Sequence, residues 1–184
     1  MTFIVVIVIV IILGLIYASM YNGMQRSKVN TEESWSQIDV QLKRRNDLIP
    51  NLVETTKGYA KHEKETFAQV VNLRNQMTQL PADAHTEKME LSNQITDSLK
   101  SIFALAEAYP DLKANQEFTK LMEELTNTEN KIAYSRQLFN SSAANYNQRL
   151  LTFPSNIVAG IHHFTKVDYL EVPTQEKEAP KVSF

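Results

Sequence analysis

The sequence predicts an all-α protein: an N-terminal transmembrane helix followed by an antiparallel bundle of about four long helices. Three observations carry that expectation. The chain opens on an uncharged apolar run, its body repeats apolar residues at a spacing of three and four, and glycine is nearly absent after the run, occurring only at Gly23, Gly58 and Gly160. Long helices tolerate such a composition, and no stretch of the body alternates apolar and polar residues as a half-buried strand requires.

The leader comes first. Phe3 to Ile16 is apolar throughout, interrupted only by Gly14, and the first charged side chain is Arg26. Residues of this kind contribute about -0.3 to -0.6 kcal/mol each near the bilayer centre, so the run favours insertion by roughly 4 to 8 kcal/mol. Thr2 to Met20 spans roughly 28 Å as a helix, close to the ~30 Å hydrocarbon thickness of a bilayer. A cleaved signal peptide would need a basic start and a small-x-small cleavage site, and the sequence offers neither. Residues 1–21 are therefore expected to remain as a single-pass anchor contacting the lipid bilayer. Arg26 and Lys28, just beyond it, favour keeping that side in the cytoplasm, with the N-terminus outside the cell membrane.

Prolines punctuate the rest. Pro50, Pro81, Pro110 and Pro154 divide it into segments of about 28, 30, 28 and 43 residues. In the last segment Phe118, Leu121, Leu125, Thr128, Ile132, Ser135, Phe139, Ser142, Tyr146, Arg149 and Phe153 keep an unbroken three-four spacing. Leu52, Thr56, Tyr59, Glu63, Phe67, Val70, Leu73, Met77 and Leu80 do so in the second, and Met89, Ser92, Ile95, Leu99, Ile102 with Phe103, Ala106 and Tyr109 in the third. Trp35, Ile38, Leu42 and Ile49 mark a sparser face on the first. Amphipathic helices with short connections bury these stripes best as an antiparallel bundle over residues 22–164. Asp47 lies three residues before Pro50, so the preferred arrangement is a turn at Asn46 and Asp47, with Pro50 in the first turn of the next helix. A kinked continuous rod is the alternative. Residues 165–184 form a tail, largely disordered after Pro173 because it has little to bury.

Composition narrows the function. With 19 Lys+Arg against 21 Asp+Glu, the chain lacks the basic excess of a nucleic-acid binder. No cysteine is present, which removes disulfides, thiolate metal sites and a cysteine nucleophile. His62-Glu63-Lys64-Glu65-Thr66 has Thr where a zincin needs its second histidine, and no Glu-x-x-His pair supports a di-iron bundle. His162-His163 reads as an exposed pair. No catalytic residue, metal or cofactor is assigned. The seam polars Thr128, Ser135, Ser142 and Arg149 could line a ligand cavity, but such residues more often set helix register.

One polar cluster stands out. Lys43, Arg44, Arg45, Asp47 and Asn51 gather around Pro50 and could form a partner-docking tip, although their residue types favour the structural reading that follows. The alternative is that the basic residues meet the last carbonyls of one helix while Asp47 caps the next.

Trp35-Ser-Gln-Ile-Asp-Val-Gln-Leu-Lys-Arg-Arg-Asn-Asp-Leu-Ile-Pro-Asn-Leu-Val-Glu54 and Lys57-Gly-Tyr-Ala-Lys-His-Glu63 resemble the signature of the LemA family. Tyr109-Pro-Asp-Leu-Lys-Ala-Asn115 with Phe118, Thr128-Glu129-Asn130 with Ile132 and Arg136, and Asn145-Tyr-Asn147 with Phe153-Pro154 and Ala159 resemble later blocks in the same order. Asn46 and Phe139 stand where tyrosine is usual in that family, and Leu170 replaces an aromatic residue. The resemblance implies a short membrane span carrying a long-helix bundle, with no established enzymatic activity. The expected function is accordingly a non-enzymatic scaffold or adaptor at the cell membrane with membrane-associated protein partners, open to oligomer formation. The alternative is a bundle that binds lipid or a small ligand.

Overall fold

The computed structural model describes residues 1–57 and 64–171. Tyr59 and Glu63 of the second stripe, and the tail after Pro173, lie outside the described residues. Among the described residues six helices follow one another: α1 (Thr2–Thr56), α2 (Lys64–Gln79), α3 (His85–Ala108), α4 (Pro110–Lys113), α5 (Gln116–Leu151) and α6 (Ser155–Ile161). Among the described residues there is no strand. The chain divides into two compact units, residues 1–37 with 135–169 and residues 38–134 with 170–184, and α1 and α5 contribute to both.

The first helix corrects the expected turn. α1 does not end at Asn46 and Asp47 but runs through Pro50 to Thr56. A proline inside a helix removes the N–H that would bond the carbonyl four residues earlier, here that of Asn46. Arg74 of α2 supplies the missing donor: its Nε lies 3.2 Å from the Asn46 carbonyl oxygen. Capping arguments from sequence cannot see a donor that arrives from another helix.

Residues 38–134 then form the up-down-up-down arrangement that the sequence predicts. Lys88 meets Asp39, and Arg45 meets Ser92 and Thr96, so α3 runs parallel to α1. α2 must return between them. Its 16 residues cover about 24 Å, against about 25 Å for the stretch of α1 from Asp39 to Thr56. α5 then begins on a built cap, the side-chain oxygen of Asn115 accepting from the backbone N–H groups of Glu117 and Phe118 at 2.9 and 3.2 Å. The core of this unit takes Ile38, Leu42, Ile49 and Leu52 from α1, Phe67, Val70, Leu73 and Met77 from α2, Met89, Ile95, Leu99 and Ile102 from α3, and Phe118, Leu125 and Ile132 from α5.

In the other unit α1 and α5 are antiparallel, since Trp35 meets Phe139 edge-on at 6.0 Å, Ser34 bonds Ser142, and Arg149 lies over Gly23. Phe139 thus fills core volume as an aromatic without a hydroxyl. The seam of α5 is buried or half-buried from Phe118 to Tyr146, but Arg149 and Phe153 are exposed, and Ala143, Asn147 and Leu150 are buried instead. A strict three-four alternation averages 3.5 residues per turn and drifts about 20° per heptad on a straight helix, so the stripe leaves the core near the end. Met24, Tyr146, Leu150, Val158 and Ala159 form a small core, with Met20, Tyr21, Phe164 and Val167 packed on it.

A double-mutant cycle tests the donor at the kink. Arg74→Met in the full chain is expected to cost about 1–2 kcal/mol by leaving a buried carbonyl unpaired. In a Pro50→Ala background the alanine N–H restores the helical bond, and chemical denaturation in micelles should show that cost reduced by at least half.

Candidate functional site

The polar cluster around Pro50 is distributed by α1 onto different faces. Arg45 continues the spacing of Trp35, Ile38, Leu42, Ile49, Leu52 and Thr56, and it occupies the inward position that this spacing dictates, fully buried. Its guanidinium donates to Glu129 at 2.7 Å, to Thr96 at 3.0 Å, and to the side chain and carbonyl of Ser92 at 2.7 and 3.1 Å. Thr96 in turn donates to Glu129 at 2.8 Å. Such a charge is tolerated only because a carboxylate and several acceptors replace its water. Two of the blocks that carry the family resemblance, one with Arg45 and one with Glu129, therefore meet in space.

The other members of the cluster stay outside. Arg44 pairs with Glu124 at the surface. Lys43 and Asp47, one turn apart, line an open pocket of about 300 Å³ with Asp39, Asn46, Met77 and Lys88. Asn51 is exposed, and its carbonyl accepts from the Thr55 hydroxyl. Because α1 does not end here, none of the three basic residues reaches a helix C-terminus; Arg44 and Arg45 serve two carboxylates of α5 instead. Seam polars follow the same logic: Thr128 bonds back to the Glu124 carbonyl at 2.7 Å, and Ser142 meets Ser34 at 3.0 Å.

Sequence reasoning missed three groups. Lys88 is nearly buried and donates to Asp39 at 2.8 Å, a pairing of residues 49 positions apart with no local signal. Asn147 uses both ends of its amide, donating to the Val167 carbonyl at 2.8 Å and accepting from the Val167 N–H at 3.0 Å, which pins the irregular segment after α6 to α5. His162 is exposed, as a neighbouring pair suggests, yet its Nε2 lies 2.7 Å from the Tyr17 hydroxyl and its ring stacks near Tyr21 and Phe164. Among the described residues, no three of His, Asp and Glu converge as a metal would need. The acidity of His85 and of Tyr146 is perturbed. Burial, then the Lys88 ammonium, lowers His85; burial, then the Glu32 carboxylate, raises Tyr146.

Every residue from Met1 to Ser19 is exposed on a helix long and apolar enough to cross a membrane. An exposed apolar helix continuous with a helical bundle defines a membrane-associated helical protein. Residues 34–184 match the profile of the LemA family, and the chain belongs to that family. It is 25% identical to Protein LemA of Metamycoplasma hominis, over 88% of this chain and 77% of that protein. It is 24% identical to the magnetosome protein MamQ of Magnetospirillum gryphiswaldense, over 81% of this chain and 64% of the relative. Magnetosome protein MamQ 2 of Paramagnetospirillum magneticum is similar at 24% identity, over 86% and 66% respectively. The chain thus spans about two thirds of the length of the magnetosome proteins.

Removal of the buried guanidinium should far outweigh removal of the exposed one. Arg45→Met strands Glu129 and is expected to cost about 3 kcal/mol or more, whereas Arg44→Met should cost less than about 1 kcal/mol, both read by denaturant titration. The second expectation concerns pH. With His85 held below its ordinary value of 6.5, the folded chain binds fewer protons than the unfolded chain below that pH. Stability is therefore full above 6.5 and falls as the pH drops below it. Thermal unfolding of His85→Gln should lose less between neutral and acidic pH than the parent.

Proposed function

We propose that this protein is a non-enzymatic scaffold, tethered by residues 1–21 with the N-terminus outside and the bundle in the cytoplasm, which recruits membrane-associated proteins. The observation that carries the reading is the unbroken helix: anchor and bundle share α1, so whatever binds the bundle is held at the bilayer. The orientation rests on Arg26 and Lys28 just after the span. The polar groups inside the bundle also favour a structural role. Arg45 is bonded to Glu129, Ser92 and Thr96, Thr96 to Glu129, and Lys88 is held by Asp39 and the Ala82 carbonyl. The groups available to a partner are the exposed Lys43, Asp47 and Asn51.

Two measurements in native membranes test the proposal. A photocrosslinking side chain at Lys43 or Asp47 is expected to give discrete adducts with other proteins, absent when the probe replaces a lipid-facing residue such as Ile9. Failure to form any adduct, or reproducible substrate turnover by the pure full chain, overturns the scaffold reading. For orientation, the chain has no cysteine of its own, so a Glu171→Cys variant should resist an impermeant thiol reagent in intact cells and react after permeabilisation. Labelling of intact cells would reverse the topology.

A further inference from the structure

Within the unit formed by residues 1–37 and 135–169, the chain reverses direction close to where the apolar run ends. Arg149 lies over Gly23, and α5 stops two residues later, so the reversal at Thr152 to Pro154 sits at about the height of Met20 and Tyr21. α6 then brings His162 against Tyr17 and Tyr21. Tyr21 stands about 28 Å along the helix from Thr2, near the far edge of a ~30 Å hydrocarbon layer, and Tyr17 one turn before it.

This corner is apolar on its outer side. α6 buries Val158 and Ala159 and leaves Ile157 and Ile161, one turn apart on the opposite face, at 55% and 59% exposure. Leu151 and Phe153 are more exposed still, at 63% and 79%. From Leu151 to Phe164 there is no Asp, Glu, Lys or Arg, although such residues make up 22% of the chain. Arg149 and Lys166 flank the stretch on either side. An uncharged segment with bulky apolar side chains outward, basic residues at its borders and Tyr and His rings at its inner edge has the chemistry of the lipid interface. Water is a poor neighbour for four large apolar side chains gathered at one corner.

We propose that the α5–α6 corner, through Leu151, Phe153, Ile157 and Ile161, lies in the headgroup–acyl boundary of the leaflet from which the bundle projects, giving the chain a second, monotopic contact with lipid. The occupant is lipid because the patch is continuous with the span through the Tyr17–His162 contact. The proposal rests on residues 1–21 crossing the bilayer, so its test includes a separate check of that reading.

The full chain carrying one cysteine, from Ile9→Cys, Phe153→Cys, Ile157→Cys or Gln137→Cys, is labelled with a polarity-sensitive fluorophore. It is reconstituted in vesicles of phosphatidylcholine and phosphatidylglycerol, with nitroxide lipids labelled near the ester carbonyls or near the chain ends. The Ile9 label should be quenched by the deep nitroxide. The Phe153 and Ile157 labels should lose about half their emission to the shallow nitroxide, and the Gln137 label little, as interfacial insertion requires. If Ile9 is quenched while Phe153 and Ile157 match Gln137, the corner proposal fails and the span stands. Labels at Phe153 and Ile157 that are dehydrated but unquenched mean that protein covers the corner, which also overturns it. An unquenched Ile9 removes the span and the proposal together.

Discussion

A backbone carbonyl without its helical partner is the constraint on which the bundle turns. Pro50 would ordinarily end or sharply bend α1, because the carbonyl oxygen of Asn46, a largely buried residue, loses its helical donor. Arg74 reaches across from α2 and supplies that donor. The helix consequently continues to Thr56, and Leu52 and Thr56 join the buried face of α1 rather than opening a new helix. One long-range hydrogen bond therefore decides where the first hairpin falls.

The continuous α1 also fixes the fate of Arg45. Carried inward by helical periodicity, its charge needs compensation, and the compensating atoms come from α3 and α5 together. Apolar stripes alone allow neighbouring helices to slide by a turn at modest cost, since one aliphatic side chain replaces another. A buried guanidinium with a planar set of donors does not allow it, because a one-turn slip would part the buried Arg45 charge from Glu129 and from the Ser92 acceptors. The apolar seams supply most of the driving force, and the Arg45 cluster selects one alignment among those the seams permit. Lys88 and Asp39 reinforce the same parallel register of α3 on α1.

Helix identity and the buried stripes were legible from periodicity, as the residues from Phe118 to Tyr146 demonstrate, and so was the apolar leader. Legibility failed where the deciding group is distant in sequence. Pro50 reads locally as a helix start, since nothing nearby announces the donor on Arg74. Arg45 completes the spacing from Trp35 to Thr56, so its burial was readable, but its charge invited grouping with Lys43 and Arg44 at a surface. Helical geometry separates the three by about 100° per residue and sends them to different surroundings. Arg149 and Phe153 illustrate the opposite error, a pattern extended past the point where helix drift carries it out of the core. Lys43, Asp47 and Asn51 were recognisable as polar surface, but surface polarity does not encode what binds it.

The amide of Asn147 bonds both backbone polar groups of Val167, its N–H and its carbonyl, standing in for a strand that the segment after α6 does not have. The substitution that differs least in shape is therefore among the least acceptable chemically. An ionised aspartate would offer oxygen to oxygen at the Val167 carbonyl, turning half of the clasp from attraction into repulsion. Hydrolysis of this one side-chain amide to a carboxylate would thus weaken one hold on the irregular segment and leave to Phe164 and Val167, packed on the small core, the task of keeping it in place.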